Sequence, residues 1–161
     1  MKVMLWSCYG HGKTSLLYNL CKNMKGIPTI PTTGFNVESL NYNGTIMYVW
    51  DISQKEIGLQ HYLPGSDAII FLIDSSLLLN DSYCQKNVDE LHECIEIFND
   101  YPLLIAITKI DIRRTSTIDI INAYQLQNLY KRKQKFGIIE CSSFTSEGIK
   151  EIKYWLSSIK N

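Results

Sequence analysis

Ser7-Cys8-Tyr9-Gly10-His11-Gly12-Lys13-Thr14 follows an apolar run of strand length, Val3 to Trp6, and opens a stretch, Thr14 to Cys21, where Leu16, Leu17 and Leu20 fall at helical spacing. Strand, glycine-bearing loop and helix in that order are the setting a phosphate-binding loop requires. The first position of the pattern G-x-x-x-x-G-K-[ST] is Ser7 rather than glycine. Gly10 and Gly12 still free the backbone to present N–H groups to phosphate oxygens. On this reading Tyr9, Gly10, His11, Gly12, Lys13, Thr14 and Ser15 surround bound phosphates. Lys13 reaches the β- and γ-phosphates, and Thr14 ligates Mg²⁺ through its hydroxyl, because a hard cation takes oxygen ligands. A plain strand-to-helix turn produces the same short pattern, so other segments must decide.

Outward from this loop the chain alternates strands and helices. Phe35 to Tyr42 and Thr45 to Trp50 flank Asn43-Gly44, the dipeptide suited to a two-residue hairpin turn. Ala68 to Ile73 and Leu103 to Ile107 are unbroken apolar runs, as expected of strands buried on both faces of a parallel sheet. Between them Val88, Leu91, Cys94, Ile95 and Phe98 recur at helical spacing. Ile118 to Tyr130 predicts a further helix, Phe136 to Glu140 a last strand, and Ile149, Ile152, Trp155, Leu156 and Ile159 one face of a terminal helix. The pattern predicts a doubly wound α/β fold, in which ligands sit beyond the carboxyl ends of the strands. The loops after Trp6, Trp50, Ile73, Ile107 and Glu140 are then the places for chemistry.

Composition bounds the function. The 161 residues suffice for one well-buried core, and residues 1–161 are expected to form a single domain. Sixteen basic residues balance sixteen acidic ones, so no global field draws the chain to nucleic acid or an anionic membrane. The basic cluster Lys131 to Lys135 reads as a solvated connection. Five scattered cysteines show no metal-ligand or redox spacing, which suits a reducing compartment. No signal peptide, membrane span or lipidation box is read, and a soluble cytoplasmic monomer is the expectation.

Thr108-Lys109-Ile110-Asp111 directly follows a buried strand, where a carboxylate can accept hydrogen bonds from N1–H and the 2-amino group of guanine. Adenine offers no such donor pair. Taken alone, Lys109 and Asp111 are two loop charges; with the phosphate loop upstream they read as a base-recognition segment.

Together with Pro31-Thr32-Thr33-Gly34-Phe35-Asn36-Val37, Val49-Trp50-Asp51 and His61-Tyr62, these segments make the chain resemble the Arf-like branch of the small GTPases over essentially its whole length. The resemblance implies a three-layer P-loop fold with a mostly parallel six-stranded sheet, one antiparallel edge hairpin and helices on both faces. It implies GTP/GDP and Mg²⁺ as ligands, Thr32 as the threonine that closes on Mg²⁺ (with Thr33 as an alternative), and Asp51 as the carboxylate holding the ion through water. Phe35, Trp50 and Tyr62 become an aromatic triad offered to protein effectors; without the family they read as core aromatics. Cys141-Ser142-Ser143 becomes the last guanine-contacting loop, with the Ser142 N–H directed at O6. The resemblance also implies a switch in intracellular (vesicle or ciliary) traffic, with an exchange factor or activating protein among its partners; no intrinsic membrane anchor is expected, because Lys2 stands where myristoylation needs glycine and the tail has no Cys box. The amphipathic N-terminal helix of many Arf proteins is not expected here, because the first strand is read as beginning almost at Met1.

The second switch departs from the family pattern Asp-x-Gly-Gly-Gln. Gln54 stands where a glycine N–H meets the γ-phosphate, and Lys55 where a glutamine orients the attacking water. An ammonium has donors and no acceptor, so it cannot receive a hydrogen bond from that water, and slow or partner-dependent hydrolysis is expected. Gln60 precedes His61-Tyr62 and does not replace the glutamine, and His61 reads as an ordinary surface histidine. His11 influences phosphate only if its ring faces the ligand; pointing away is the expected orientation. Three readings compete: a GTP/GDP switch, a non-hydrolysing interaction module, and an ATP-dependent phosphotransferase, against which Asp111 argues.

Overall fold

The structure is a computed structural model and describes residues 1–30, 32–53 and 58–159. Pro31, and the expectations resting on Gln54 and Lys55, lie outside the described residues.

The apolar run after Met1 forms β1 (Lys2–Trp6), and the loop that follows delivers the chain into α1 (Lys13–Lys22). The hairpin is β2 (Phe35–Tyr42) and β3 (Thr45–Ile52), turned by Asn43 and Gly44 at φ 50° and 80°. Two successive left-handed residues match the twist of the flanking strands, which is why Asn-Gly marks the turn. The chain continues through β4 (Ala68–Asp74), α2 (Ser82–Phe98), β5 (Leu103–Thr108), α3 (Thr117–Ala123), β6 (Phe136–Glu140) and α4 (Ile149–Ser157). The strands form one six-stranded sheet in the order β2-β3-β1-β4-β5-β6, with only the β2–β3 pair antiparallel.

Residues alternate between two cores along each central strand. Met4, Trp6, Ile69, Phe71 and Ile73 pack with α2 and α3 on one face, whereas Val3, Leu5, Ile70 and Leu72 pack with α1 and α4 on the other. Every residue of β4 and β5 is buried, which explains apolar runs without a polar face. Because β1, β3, β4, β5 and β6 run parallel, their carboxyl ends share one edge.

The helix expected over Ile118–Tyr130 is not continuous. α3 stops at Ala123, Gln125 takes a left-handed φ of 53°, and Leu126–Lys131 continues as a 3₁₀ segment. Leu126 and Leu129 face the core at spacing three, which a 3₁₀ turn satisfies as well as an α-helix does. At the other end of the sheet edge, Gly148 opens α4 at φ 74°, where an added Cβ would fall 1.9 Å from the Glu140 carbonyl. Only glycine permits that approach, and it fixes the loop after β6 against the strand.

Candidate functional site

At the shared carboxyl edge the loops enclose a cavity of about 360 Å³. Tyr9, Gly10, Gly12, Lys13, Thr14 and Ser15 line it from the first loop, Thr29, Ile30, Thr32, Thr33 and Gly34 from the segment before β2, Asp51 to Ser53 from the end of β3, and Lys109 from beyond β5.

The first loop takes its shape from Gly10 and Gly12, at φ 84° and 94°. Ser7 is not among the left-handed residues, so glycine is not required there on backbone grounds. The Ser7 side chain is buried; its hydroxyl donates to the Cys8 carbonyl at 2.9 Å and lies 3.4 Å from the Lys13 amine. Lys13 folds over the loop and donates to the carbonyls of Ser7 at 3.0 Å and Cys8 at 3.3 Å. Burial holds the Lys13 ammonium below the usual lysine range, and the Asp51 charge partly offsets this. An anion in the cavity would relieve that desolvation.

Beside Lys13, the Thr14 and Thr32 hydroxyls lie 2.9 Å apart, and both donate to Asp51 Oδ2, Thr32 at 3.1 Å. Asp51 is fully buried, and its Oδ1 finds no hydrogen-bond partner among the described residues. A buried carboxylate with one unsatisfied oxygen, flanked by two hydroxyls, is costly without a cation, and these hard oxygens suit Mg²⁺. Thr33, the alternative to Thr32, is exposed and does not reach Asp51.

The second loop is tied to the first. The Thr108 hydroxyl lies 3.0 Å from the His11 carbonyl and 3.2 Å from that of Ile73, and the Lys109 amine donates to the Gly10 carbonyl at 3.1 Å while pairing with buried Asp74 at 2.5 Å. Thr108, expected among the nucleotide contacts, turns inward and serves to stitch the loops. The His11 side chain is likewise turned away from the cavity: it is buried, and its Nδ1 accepts the Asp74 N–H at 3.0 Å. Burial pulls its pKa down to about 4, against the opposing attraction of Asp74, so the ring is neutral near pH 7. The imidazole is therefore no phosphate ligand.

Asp111 is exposed beyond Lys109, and its Oδ1 accepts the Ser142 hydroxyl at 2.6 Å. The Ser142 Oγ in turn accepts the N–H groups of Phe144 at 3.1 Å and Thr145 at 3.0 Å. One expectation is corrected here. The Ser142 N–H is already donated to the Glu147 carbonyl at 3.0 Å, so it is not available for O6 of guanine. The N–H of the following residue, Ser143, has no acceptor among the described residues, and its carbonyl is held by Asn19 Nδ2 at 2.9 Å.

Of the aromatic triad, Phe35 is 57% exposed and stacks on half-buried Trp50, ring centroids 5.5 Å apart. Tyr62 is half-buried against the α2-side core. Lys2 links the latter two, its ammonium 4.9 Å from the centre of the Trp50 ring and bonded to the Tyr62 carbonyl.

Sequence reasoning missed Asn19, Asp74 and Asn87. Asp74 ends a buried run, and Asn87 interrupts the apolar stripe of α2; a polar residue at a core position was the available signal.

A phosphate loop, a buried carboxylate with two threonines, and a carboxylate beyond β5, all at the carboxyl edge of this sheet, define a P-loop nucleotide-binding protein of the small G-protein fold. The sequence model of the ADP-ribosylation factor family matches residues 1–159. The chain is 33% identical to ADP-ribosylation factor J of Dictyostelium discoideum and 32% identical to ADP-ribosylation factor K of the same organism, each alignment covering 99% of this chain and 85% of the relative. The chain belongs to the ADP-ribosylation factor family of GTP-binding small GTPases in the Ras superfamily. No helix among the described residues is long and apolar enough to cross a membrane.

Proposed function

We propose that residues 1–161 form one G domain acting as a GTP/GDP switch that engages protein effectors in intracellular traffic, in the cytoplasm or recruited to membranes by its partners. The observation that carries this is the convergence of Thr14, Thr32 and Asp51 beside Lys13 at one end of the cleft, with Asp111 organised by Ser142 at the other.

Lys13 and the N–H groups around Gly10 and Gly12 bind the phosphates, where the helix N-terminus favours negative charge. Asp111 would accept from the guanine edge, and the Ser143 N–H would donate to O6 in place of the committed Ser142 N–H. Thr14 and Thr32 would ligate Mg²⁺, and Asp51 would hold it through water; when bound, the ion would supply neutralisation of phosphate charge. Thr32 lies on the segment that leads into β2 and would tie this segment to the cation site through its hydroxyl, and the neighbouring Phe35–Trp50 pair, with Phe35 exposed, is the surface an effector reads. An exchange factor or activating protein would act on the same segment.

A non-hydrolysing module is the second reading, favoured by Gln54 and Lys55. Titrations of GTP, GDP and ATP with and without Mg²⁺, followed by single-turnover hydrolysis, separate the possibilities. Expected are Mg²⁺-dependent binding of both guanine nucleotides, ATP at least about 100-fold weaker, and hydrolysis well below that of an ordinary small GTPase. Preference for ATP overturns the proposal. A normal hydrolysis rate removes the role given to Lys55, and equal GTP and GDP affinity without turnover supports the module.

A further inference from the structure

A phosphate loop can aim N–H groups at an anion only if the groups it turns the other way are satisfied by the protein. Here one of them is satisfied from α2. The Cys8 N–H donates to Asn87 Oδ1 at 2.7 Å. Asn87 is fully buried, and its Nδ2 donates to the Leu72 carbonyl at 2.9 Å and reaches the Tyr124 hydroxyl at 3.3 Å. Three residues along the loop, His11 accepts the Asp74 N–H on Nδ1 and lies 3.4 Å from the Tyr83 carbonyl through Nε2. With Nδ1 accepting, the proton sits on Nε2, which then donates to that carbonyl. Tyr83 and Asn87 are one helical turn apart on α2, so residues 8 and 11 of the loop are both fastened to one helix face. An apolar side chain in either place would fill the space without these bonds, and a buried amide and a buried imidazole are costly unless the bonds are used.

We propose that His11 and Asn87 are positioning residues for nucleotide retention: from the α2 side, they hold the phosphate loop in the shape that binds phosphate. This rests on the guanine-nucleotide reading above. Neither side chain lines the cavity; Asn87 fixes the Cys8 N–H of the loop, and His11 fastens its own place in the loop to the Asp74 N–H and the Tyr83 carbonyl. The strength of nucleotide binding thereby depends on the first two turns of α2, outside the segments that line the cavity.

The test is release of a fluorescently labelled GDP from the wild type and from Asn87→Leu, His11→Leu and His11→Asn, with Lys13→Ala as a control. The asparagine of His11→Asn keeps an acceptor near the place of Nδ1, whereas leucine has none. Expected are dissociation rates raised about tenfold in Asn87→Leu and His11→Leu, the magnitude of one buried hydrogen bond left unmade, and a rate within about threefold of wild type in His11→Asn. A purely space-filling role predicts the reverse order for the two His11 variants. Leucine variants within twofold of wild type, or asparagine as fast as leucine, overturn the proposal. Amide hydrogen exchange of the nucleotide-free wild type gives a second readout should a variant not fold. Cys8 and Asp74 N–H groups protected at least about 100-fold support the clamp, and exchange at unstructured rates refutes it. If the wild type binds no guanine nucleotide while Cys8 and Asp74 are protected, the functional reading fails and the clamp stands. If it binds nucleotide, Lys13→Ala loses it and the leucine variants do not release it faster, the clamp alone fails.

Discussion

The two ends of the cleft are built differently. At the base end, Ser142 ties Asp111 to the amides of Phe144 and Thr145, Asn19 holds the Ser143 carbonyl and the Ser146 hydroxyl, and Lys109 and Thr108 bind the second loop to the first. At the switch end, residues 22–30 are exposed apart from half-buried Ile27, with Ile30 85% exposed, and Thr32 is anchored through its hydroxyl to Thr14 and Asp51. Both are held by bonds internal to the protein, but those of the switch end converge on the Thr14–Asp51 pair proposed to hold the cation, so the proposed function couples its order to the ligand. A nucleotide switch needs this division: a fixed grip on what GTP and GDP share and a loose one near the phosphate that differs.

The contrast can be broken at its most rigid point. Gly148→Ala places a Cβ against the Glu140 carbonyl at a left-handed φ, and a stability loss of about 4 kcal/mol is expected in denaturant melts. A loss under about 1 kcal/mol would show that the base end yields easily. Next, Asp111→Ala removes charge-assisted hydrogen bonds to guanine and should weaken GDP and GTP alike by a few hundred-fold in titration, about 3.5 kcal/mol. Unequal effects on the two nucleotides would mean that the base end also senses the γ-phosphate.

Acid tests the phosphate loop, which Thr108 and Lys109 tie to the base end. The folded protein binds a proton at His11 only near pH 4, whereas an unfolded chain does so near 6.5. Between those values the unfolded state holds the extra proton, so stability from this group is complete above about pH 6.5 and falls as pH drops toward 4, by roughly 3 kcal/mol in all. Asp74 attracts the proton to the folded state, while Lys13 and Lys109 repel it. Melts at pH 7 and pH 5 should show a steeper loss for wild type than for His11→Asn. The smallest effect belongs to the switch end: Thr32→Val should speed GTP release about tenfold and leave GDP release within twofold, if Thr32 serves the cation site in the triphosphate state alone, as proposed. Equal acceleration of both would place Thr32 in the fixed half.

Much of this was legible in the chain. The unbroken runs of β4 and β5, the Asn-Gly turn and the loop before Lys13 depend on local chemistry, and each appears where expected. The helix drawn through Tyr130 failed because spacing three suits a 3₁₀ turn too, and nothing local announces that Gln125 turns left-handed. The assignment of Ser142 to O6 failed for a different reason: the commitment of its N–H depends on the carbonyl of Glu147, five residues away.

The sequence by itself determined the order of the elements and the candidate ligands, because apolar period, turn residues and the chemistry of lysine, threonine and aspartate act over a few residues. Tertiary structure alone decided which polar groups face inward. His11 and Asn87 are 76 positions apart, yet both meet the back of the phosphate loop and its neighbouring strand end only because β1, β4 and α2 pack as one layer on another. Buried hydrogen bonds between distant segments leave no periodic trace, since each is fixed by geometry that exists only after the sheet has formed.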